Sequence, residues 1–153
     1  MSFGLTSISA LEMAGGTPVT SAAQGLALDG VRVLVVDDSD INLEVARRLL
    51  LPAGAQVSVA AHGLEAVEYL RAHPAAVDVV LMDVQMPVLD GIEATRCIHG
   101  ELGLTHLPVI ALTAGVLADE QDRTREAGMV DFIRKPFDVA GLLCTVHYHA
   151  RNA

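Results

Sequence analysis

Val31 to Asp40 reads VRVLVVDDSD, an apolar run that ends in two adjacent aspartates with a third two positions on. Val-rich runs with little polar alternation suit a strand covered on both faces, as in a parallel sheet. Four more such runs follow: QVSVA (56–60), VDVVLM (77–82), PVIALT (108–113) and DFIRK (131–135). Between them lie INLEVARRLLLPAG (41–54), GLEAVEYLRAH (63–73), GIEATRCIHGEL (91–102) and VLADEQDRTREAG (116–128), with apolar residues at helical spacing and Gly or His near their ends. DVAGLLCTVHYHA (138–150) supplies a fifth helix. Strand and helix alternate throughout, and right-handed crossovers place such helices on both faces of the sheet. The pattern therefore predicts an α/β three-layer sandwich around a five-stranded parallel sheet.

The remaining sequence sets bounds. A chain of 153 residues, 52% hydrophobic and 19% charged, suits one soluble globular domain with a sizeable core and an appendage. Residues 1–28 hold Glu12 as their only charge, are rich in Gly, Ser, Thr and Ala, and include the breaker GGTP. They read as a flexible arm or interdomain linker ahead of a domain at 29–153. Nineteen acids against ten bases, a formal charge of −9, argue against a nucleic-acid footprint. Cys97 and Cys144 form no C-x-x-C pair and read as small buried apolar residues. The longest apolar stretch, Pro108 to Ala118, falls short of the roughly 20 residues of a spanning helix. The N-terminus lacks the basic region of a secretion signal, so a cytoplasmic location without membrane contact is expected.

In open parallel sheets, ligands bind beyond the carboxyl ends of the strands. Asp37 and Asp38 follow the first strand and Asp83 the third, while Thr113 stands at the end of the fourth and Lys135 at the end of the fifth. Carboxylates about 4 Å apart repel by roughly 1 kcal/mol per pair in water and by several times that inside a protein. A cation must offset this. Mg²⁺ takes oxygen ligands octahedrally and keeps waters that a phosphate can replace. Lys135 adds a second positive charge and is the chain's one lysine among ten basic residues. Its compact ammonium is a point charge, unlike a planar guanidinium.

Taken together, VLVVDDSDIN, LMDVQMPVLDG, ALTA and DFIRKPF resemble the receiver domain of two-component response regulators over about residues 30–150, most like the receivers of hybrid sensor histidine kinases. The resemblance implies the flavodoxin-like strand order 2-1-3-4-5. It implies that Asp83 is the phosphoacceptor, taking a phosphoryl group from a histidine kinase or histidine phosphotransfer protein. Asp38, Asp83 and the backbone carbonyl of Gln85 would ligate Mg²⁺, with Mn²⁺ as a substitute, while Asp37 acts mainly through a bound water. Lys135, the Thr113 hydroxyl and the Ala114 backbone N–H would bind the phosphoryl group. Thr113 and Phe132 would act as switch residues for the surface formed by the fourth helix, fifth strand and fifth helix, which also offers a dimer interface. The protein would be a signalling module that assists its own phosphorylation and dephosphorylation rather than an enzyme. A cis peptide is expected before Pro136, and Asn42 fits a D-D-x-x-x-N pattern with a structural role.

Other readings of these residues stand beside that one. Asp37 and Asp38 suit helix caps, although Ser39 or Asp40 serves equally well. Thr113 suits the N-cap of the fourth helix, and Phe132 an ordinary buried strand position. A Mg²⁺-dependent phosphohydrolase would pair its nucleophilic aspartate with a second acid two residues later, where this chain has Gln85. A flavin module would carry a Ser/Thr-rich loop in place of the acidic pair. Gln85 and Gly115 occupy the positions that influence the lifetime of an aspartyl phosphate. His147 and His149, two apart on a helix, point to different faces and are not expected to share a metal.

Overall fold

In the computed structural model of this chain, residues 27–84, 86, 89–114 and 118–151 are described, the side chains of 118–120 and 151 excepted. The apolar run after Val31 forms β1 (Arg32–Val36), and Ser39 then caps α1 (Asp40–Leu50), its hydroxyl accepting the Asn42 N–H at 3.3 Å. A 3₁₀ turn (Leu51–Ala53) leads to β2 (Gln56–Ala60) and α2 (Gly63–Ala72). β3 (Val79–Asp83) is followed by α3 (Gly91–Arg96), β4 (Val109–Thr113), α4 (Ala118–Ala127), β5 (Asp131–Arg134) and α5 (Val139–Arg151). The sheet order is β2-β1-β3-β4-β5 with every neighbouring pair parallel, as the resemblance implied. Val33 stands level with Val57 on one side and Val79 on the other.

Successive side chains alternate across the sheet and feed two apolar layers. Leu34, Val36, Val80, Met82, Val109 and Ala111 pack toward α2 and α3. Val33, Val35, Val79, Leu81, Ile110 and Leu112 pack toward α1 and α5, where Leu43, Ala46, Leu50, Leu142 and Val146 meet them. The expectation of strands covered on both faces holds for β3 and β4, buried along their length, and for β1 beyond Arg32. β2 and β5 differ because they are the sheet's edges: Val59 is 42% exposed, and Ile133 is the one buried residue of β5. Leu28 is fully buried in the α1/α5 layer, and its N–H donates to the Ala53 carbonyl at 2.7 Å. Residues 1–26 of the expected arm lie outside the described residues.

Two local features depart from the sequence pattern. The helix expected over 91–102 is α-helical only to Arg96 and continues as a π turn over Cys97–Glu101, with the Leu102 N–H donating to the Cys97 carbonyl at 2.9 Å. His99 on this turn bonds the Leu107 carbonyl through Nε2 at 2.9 Å, tying the turn to the approach to β4. Cys97 is half-buried as a small apolar residue can be, but Cys144 is exposed. The buried stripe of α5 runs through Leu142, Leu143 and Val146, which leaves position 144 on the outer face. Among the described residues, no helix is long and apolar enough to cross a membrane.

Candidate functional site

Parallel strands bring their carboxyl ends to one edge, and the polar residues that follow them meet there. Asp37 directly follows β1, Asp83 and Thr113 end β3 and β4, and Lys135 directly follows β5. Lys135 is placed by its own main chain, whose N–H donates to the Thr113 carbonyl at 2.8 Å. The Lys135–Pro136 peptide is cis. One carboxylate oxygen from each of Asp37, Asp38 and Asp83 lies within 4.8 Å of the others. Asp37 is fully buried, Asp83 and Thr113 are buried, and Asp38 faces solvent.

The ammonium of Lys135 sits between the two buried acids, 2.9 Å from Asp37 Oδ2 and 3.3 Å from Asp83 Oδ1. Burial alone lowers the ammonium's pKa, but the hydrogen bond to Asp37 and the charges of Asp83 and Asp37 outweigh it, so the group is held above the ordinary lysine value. Asp37 receives two further donors: the Ser39 backbone N–H on Oδ1 at 2.9 Å and the Asn42 side-chain amide on Oδ2 at 3.3 Å. A buried carboxylate persists as an ion only with such a full set of partners. Three carboxylates against one ammonium still leave excess negative charge. The donor set is oxygen only, with one ligand open to water, and it fits a hard cation that keeps several waters, such as Mg²⁺.

The two ends of the segment between β3 and α3 are held together. Asp90 caps α3 by accepting the Glu93 N–H at 2.9 Å, and the Gly91 N–H donates to the Val84 carbonyl at 3.0 Å. A Cβ at position 91 would run into the Asp83 carbonyl oxygen, so glycine is required there by close approach. Thr95 holds the same turn by donating its hydroxyl to the Gly91 carbonyl at 2.7 Å.

Asp37, Asp38, Asp83, Thr113 and Lys135, singled out on the sequence, thus stand at one edge. Ser39 takes the capping role at α1, while the reading of Thr113 as the cap of α4 involves residues 115–117, which lie outside the described residues. Ala114 is exposed beside Thr113. Gln85 and Gly115 lie outside the described residues. Phe132 is half-buried on β5, with the Arg125 guanidinium 5.8 Å from its ring centre, and it borders an open pocket of about 210 Å³ that Pro136, Leu142 and Thr145 also line. His149 pairs with Asp131 at 3.0 Å rather than with His147. The contact of Asn42 with Asp37 was not foreseen, although the D-D-x-x-x-N spacing puts an amide one helical turn from the acidic pair.

This architecture has close counterparts. The family described as response regulator receiver domain matches residues 33–147. The polar-differentiation response regulator DivK of Brucella anthropi is 32% identical over 121 residues, which make up 79% of this chain and 97% of that protein. The receiver domain of the sensor histidine kinase PA1611 from Pseudomonas aeruginosa, solved with a magnesium ion coordinated in its active site cleft, superposes with a TM-score of 0.73 at 34% identity. The match covers 80% of this chain and 98% of that one. The chemotaxis protein CheY4 of Vibrio cholerae gives a TM-score of 0.73 at 29% identity, covering 78% of this chain and 98% of its own. Sheet order, acidic edge and sequence agree, and the chain belongs to the response regulator receiver domains, the signalling modules of two-component systems.

Proposed function

We propose that Asp83 is the phosphoacceptor of this receiver and that Lys135, Thr113 and the Ala114 N–H receive the transferred group. The observation that carries the reading is the position of the Lys135 ammonium, within 3.3 Å of an Asp83 carboxylate oxygen and anchored on a second, buried acid. In the reaction, an Asp83 oxygen forms a bond to phosphorus as the P–N bond to the donor's imidazole breaks. The electron pair of that bond stays on the imidazole nitrogen, and an acyl phosphate results. Lys135 is placed to follow the charge on the phosphoryl oxygens, and the Thr113 hydroxyl comes from the neighbouring strand. Mg²⁺ held by Asp38, Asp83 and the Gln85 carbonyl, with Asp37 contacting it through water, supplies charge neutralisation when bound; Mn²⁺ is the expected substitute. The phosphohydrolase reading has no support from the relatives and is set aside.

The donor is a histidine kinase or a histidine phosphotransfer protein, and the module assists both gain and loss of its own phosphoryl group. Phosphorylation draws Thr113 toward the new oxygens and biases Phe132, and so the α4-β5-α5 surface, which also serves a dimer. Moving an equilibrium from 1:99 to 99:1 takes about 5.5 kcal/mol. A neutral hydrogen bond supplies about 1 kcal/mol, so the charged contacts of Lys135 must carry most of the difference. The chain ahead of Leu28, itself part of the core, is an interdomain linker in this reading, the receiver is of the hybrid-kinase kind, and the setting is cytoplasmic. Asp83→Asn is the direct test: labelling by a phosphohistidine donor and beryllofluoride adduct formation should both disappear, and labelling equal to that of the unsubstituted protein would overturn the assignment.

A further inference from the structure

Asp37 poses a problem of charge that the phosphoacceptor reading does not resolve. It is fully buried, and its counter-charge is Lys135. The same ammonium must turn to the phosphoryl group when Asp83 is modified. A buried carboxylate that loses its cation pays the desolvation of an uncompensated ion, unless another donor takes over the vacated oxygen. The structure holds such a donor. Asn42 Nδ2 lies 3.3 Å from Asp37 Oδ2, the oxygen that Lys135 also contacts at 2.9 Å, while the Ser39 N–H occupies Oδ1 at 2.9 Å. Two donors therefore share one lone-pair region, and the amide holds the longer of the two contacts.

The amide is well placed for this. Asn42 stands in the first turn of α1, and its own N–H is fixed on the Ser39 hydroxyl at 3.3 Å. Ser39 thus orients Asp37 with its backbone N–H and Asn42 with its side chain. An amide donor is neutral, so it can stay on Oδ2 while a cation approaches the neighbouring carboxylates, without adding to or cancelling their charge. An arginine or lysine at position 42 would compete with the metal.

Resting on the reading of Asp83 as phosphoacceptor, we infer that Asn42 is a positioning residue that holds the Asp37 carboxylate in place and takes over its Oδ2 when Lys135 is drawn to the phosphoryl group. The consequence differs from that of a merely stabilising contact. In the metal-free protein Asp37 keeps Lys135 and Ser39 even if the amide is removed. In the phosphoryl-bound form the amide is the partner left on Oδ2, so its loss weighs more heavily there.

The test uses the full chain with Asn42→Ala and Asn42→Leu. Both raise helix propensity in α1, and leucine keeps the branching of the side chain while removing its hydrogen-bonding atoms. Magnesium affinity is read by calorimetric titration with MgCl₂, melting temperature is measured in EDTA, and beryllofluoride binding is followed by fluorine NMR. Leaving an oxygen of a buried carboxylate without its donor weakens the form that needs it by roughly tenfold or more. We expect that loss in beryllofluoride affinity in both variants, a smaller change in magnesium affinity, and only a small drop in the EDTA melting temperature. If both variants bind beryllofluoride within about twofold of the unsubstituted protein, or if leucine restores what alanine loses, the amide is a packing or stability feature and the inference falls. If the unsubstituted protein itself binds neither magnesium nor beryllofluoride, the phosphoacceptor reading fails instead, and the inference with it.

Discussion

Lys135 joins two strands' worth of acid with a single ammonium, and its shape matters as much as its charge. The Nζ sits 2.9 Å from Asp37 and 3.3 Å from Asp83 while the side chain stays 18% exposed, so it approaches both acids from the mouth of the site. A guanidinium carries the same charge but spreads it over a wider plane and prefers to grip one carboxylate with two parallel bonds. Lys135→Arg should therefore leave the fold intact and lock onto Asp37. We expect phosphorylation by acetyl phosphate to slow by roughly 100-fold, the scale on which one lost transition-state donor is felt. A rate within about threefold of the unsubstituted protein would show that charge alone is what the position needs. The acids, the hydroxyl and this lysine were legible in the sequence because capping alone, which Ser39 can supply, does not explain polar residues set directly against the ends of four strands. Asn42 was legible only as a pattern. Its bond to Asp37 depends on the pitch of the first turn of α1 and on the rotamer of Asp37, neither of which the residue types specify. Cys144 was misjudged because a cysteine's composition-level preference for burial does not say which side of α5 it occupies.

At the level of elements, β1 and β3 are joined at the amino edge as well as at the site. The Arg32 N–H and Nε donate to Asp78 Oδ2 at 2.8 and 3.2 Å, NH2 reaches Oδ1 at 2.9 Å, and NH1 reaches the Ala75 carbonyl at 2.9 Å. The Asp78 N–H returns the bond to the Arg32 carbonyl at 2.8 Å. The side-chain hydrogen bond from Arg32 holds the Asp78 carboxyl below its ordinary value; partial burial opposes this, and the Arg32 backbone N–H and charge reinforce it. A carboxylate whose folded pKa is depressed contributes stability above its unfolded value of about 3.9 and loses that contribution as pH falls through the folded value. Asp78→Asn should thus lower the urea midpoint slightly at pH 7, since both side chains are more than a third exposed to solvent or close to it. The two proteins' midpoints should converge in the acid range as the carboxylate protonates. A gap that stays constant down to pH 3 would mean that the lost contacts are steric rather than ionic. Strand positions and types were readable from Val-rich runs, and the start of α1 from Ser39, whereas the caps at His62 and Asp90 were not singled out. The π turn at Cys97–Glu101 was not readable, because Gly100 weakens a helix without specifying a π turn, and the turn is held by His99's bond to Leu107 beyond the helix.

For the whole molecule, the alternation of five strands and five helices was enough to predict three layers, but not the order in which strands lie. Right-handed crossovers alone permit several orders. The 2-1-3-4-5 order followed from resemblance, and the sheet bears it out. That order is what makes the site: β1 and β3 become neighbours, and the chain leaves them in opposite directions, which opens a crevice where Asp37, Asp38 and Asp83 converge. The folded state therefore concentrates negative charge in a chain that already carries −9. The unfolded chain disperses it. A divalent cation that binds only the folded form should raise stability by about 2.7 kcal/mol at a hundredfold excess over its dissociation constant. For a domain of this size that corresponds to a rise of several degrees in melting temperature. The rise should appear with millimolar MgCl₂, reverse on adding EDTA, and be absent with NaCl of equal ionic strength, because screening acts on all the surface charge and not on one buried cluster. Asp38→Asn, which removes the exposed ligand while leaving Asp37 and Lys135 paired, should abolish most of the magnesium response without lowering the melting temperature in EDTA. Equal stabilisation by NaCl, or a full magnesium response in Asp38→Asn, would place the stabilising charge effect on the general surface rather than at the end of the sheet.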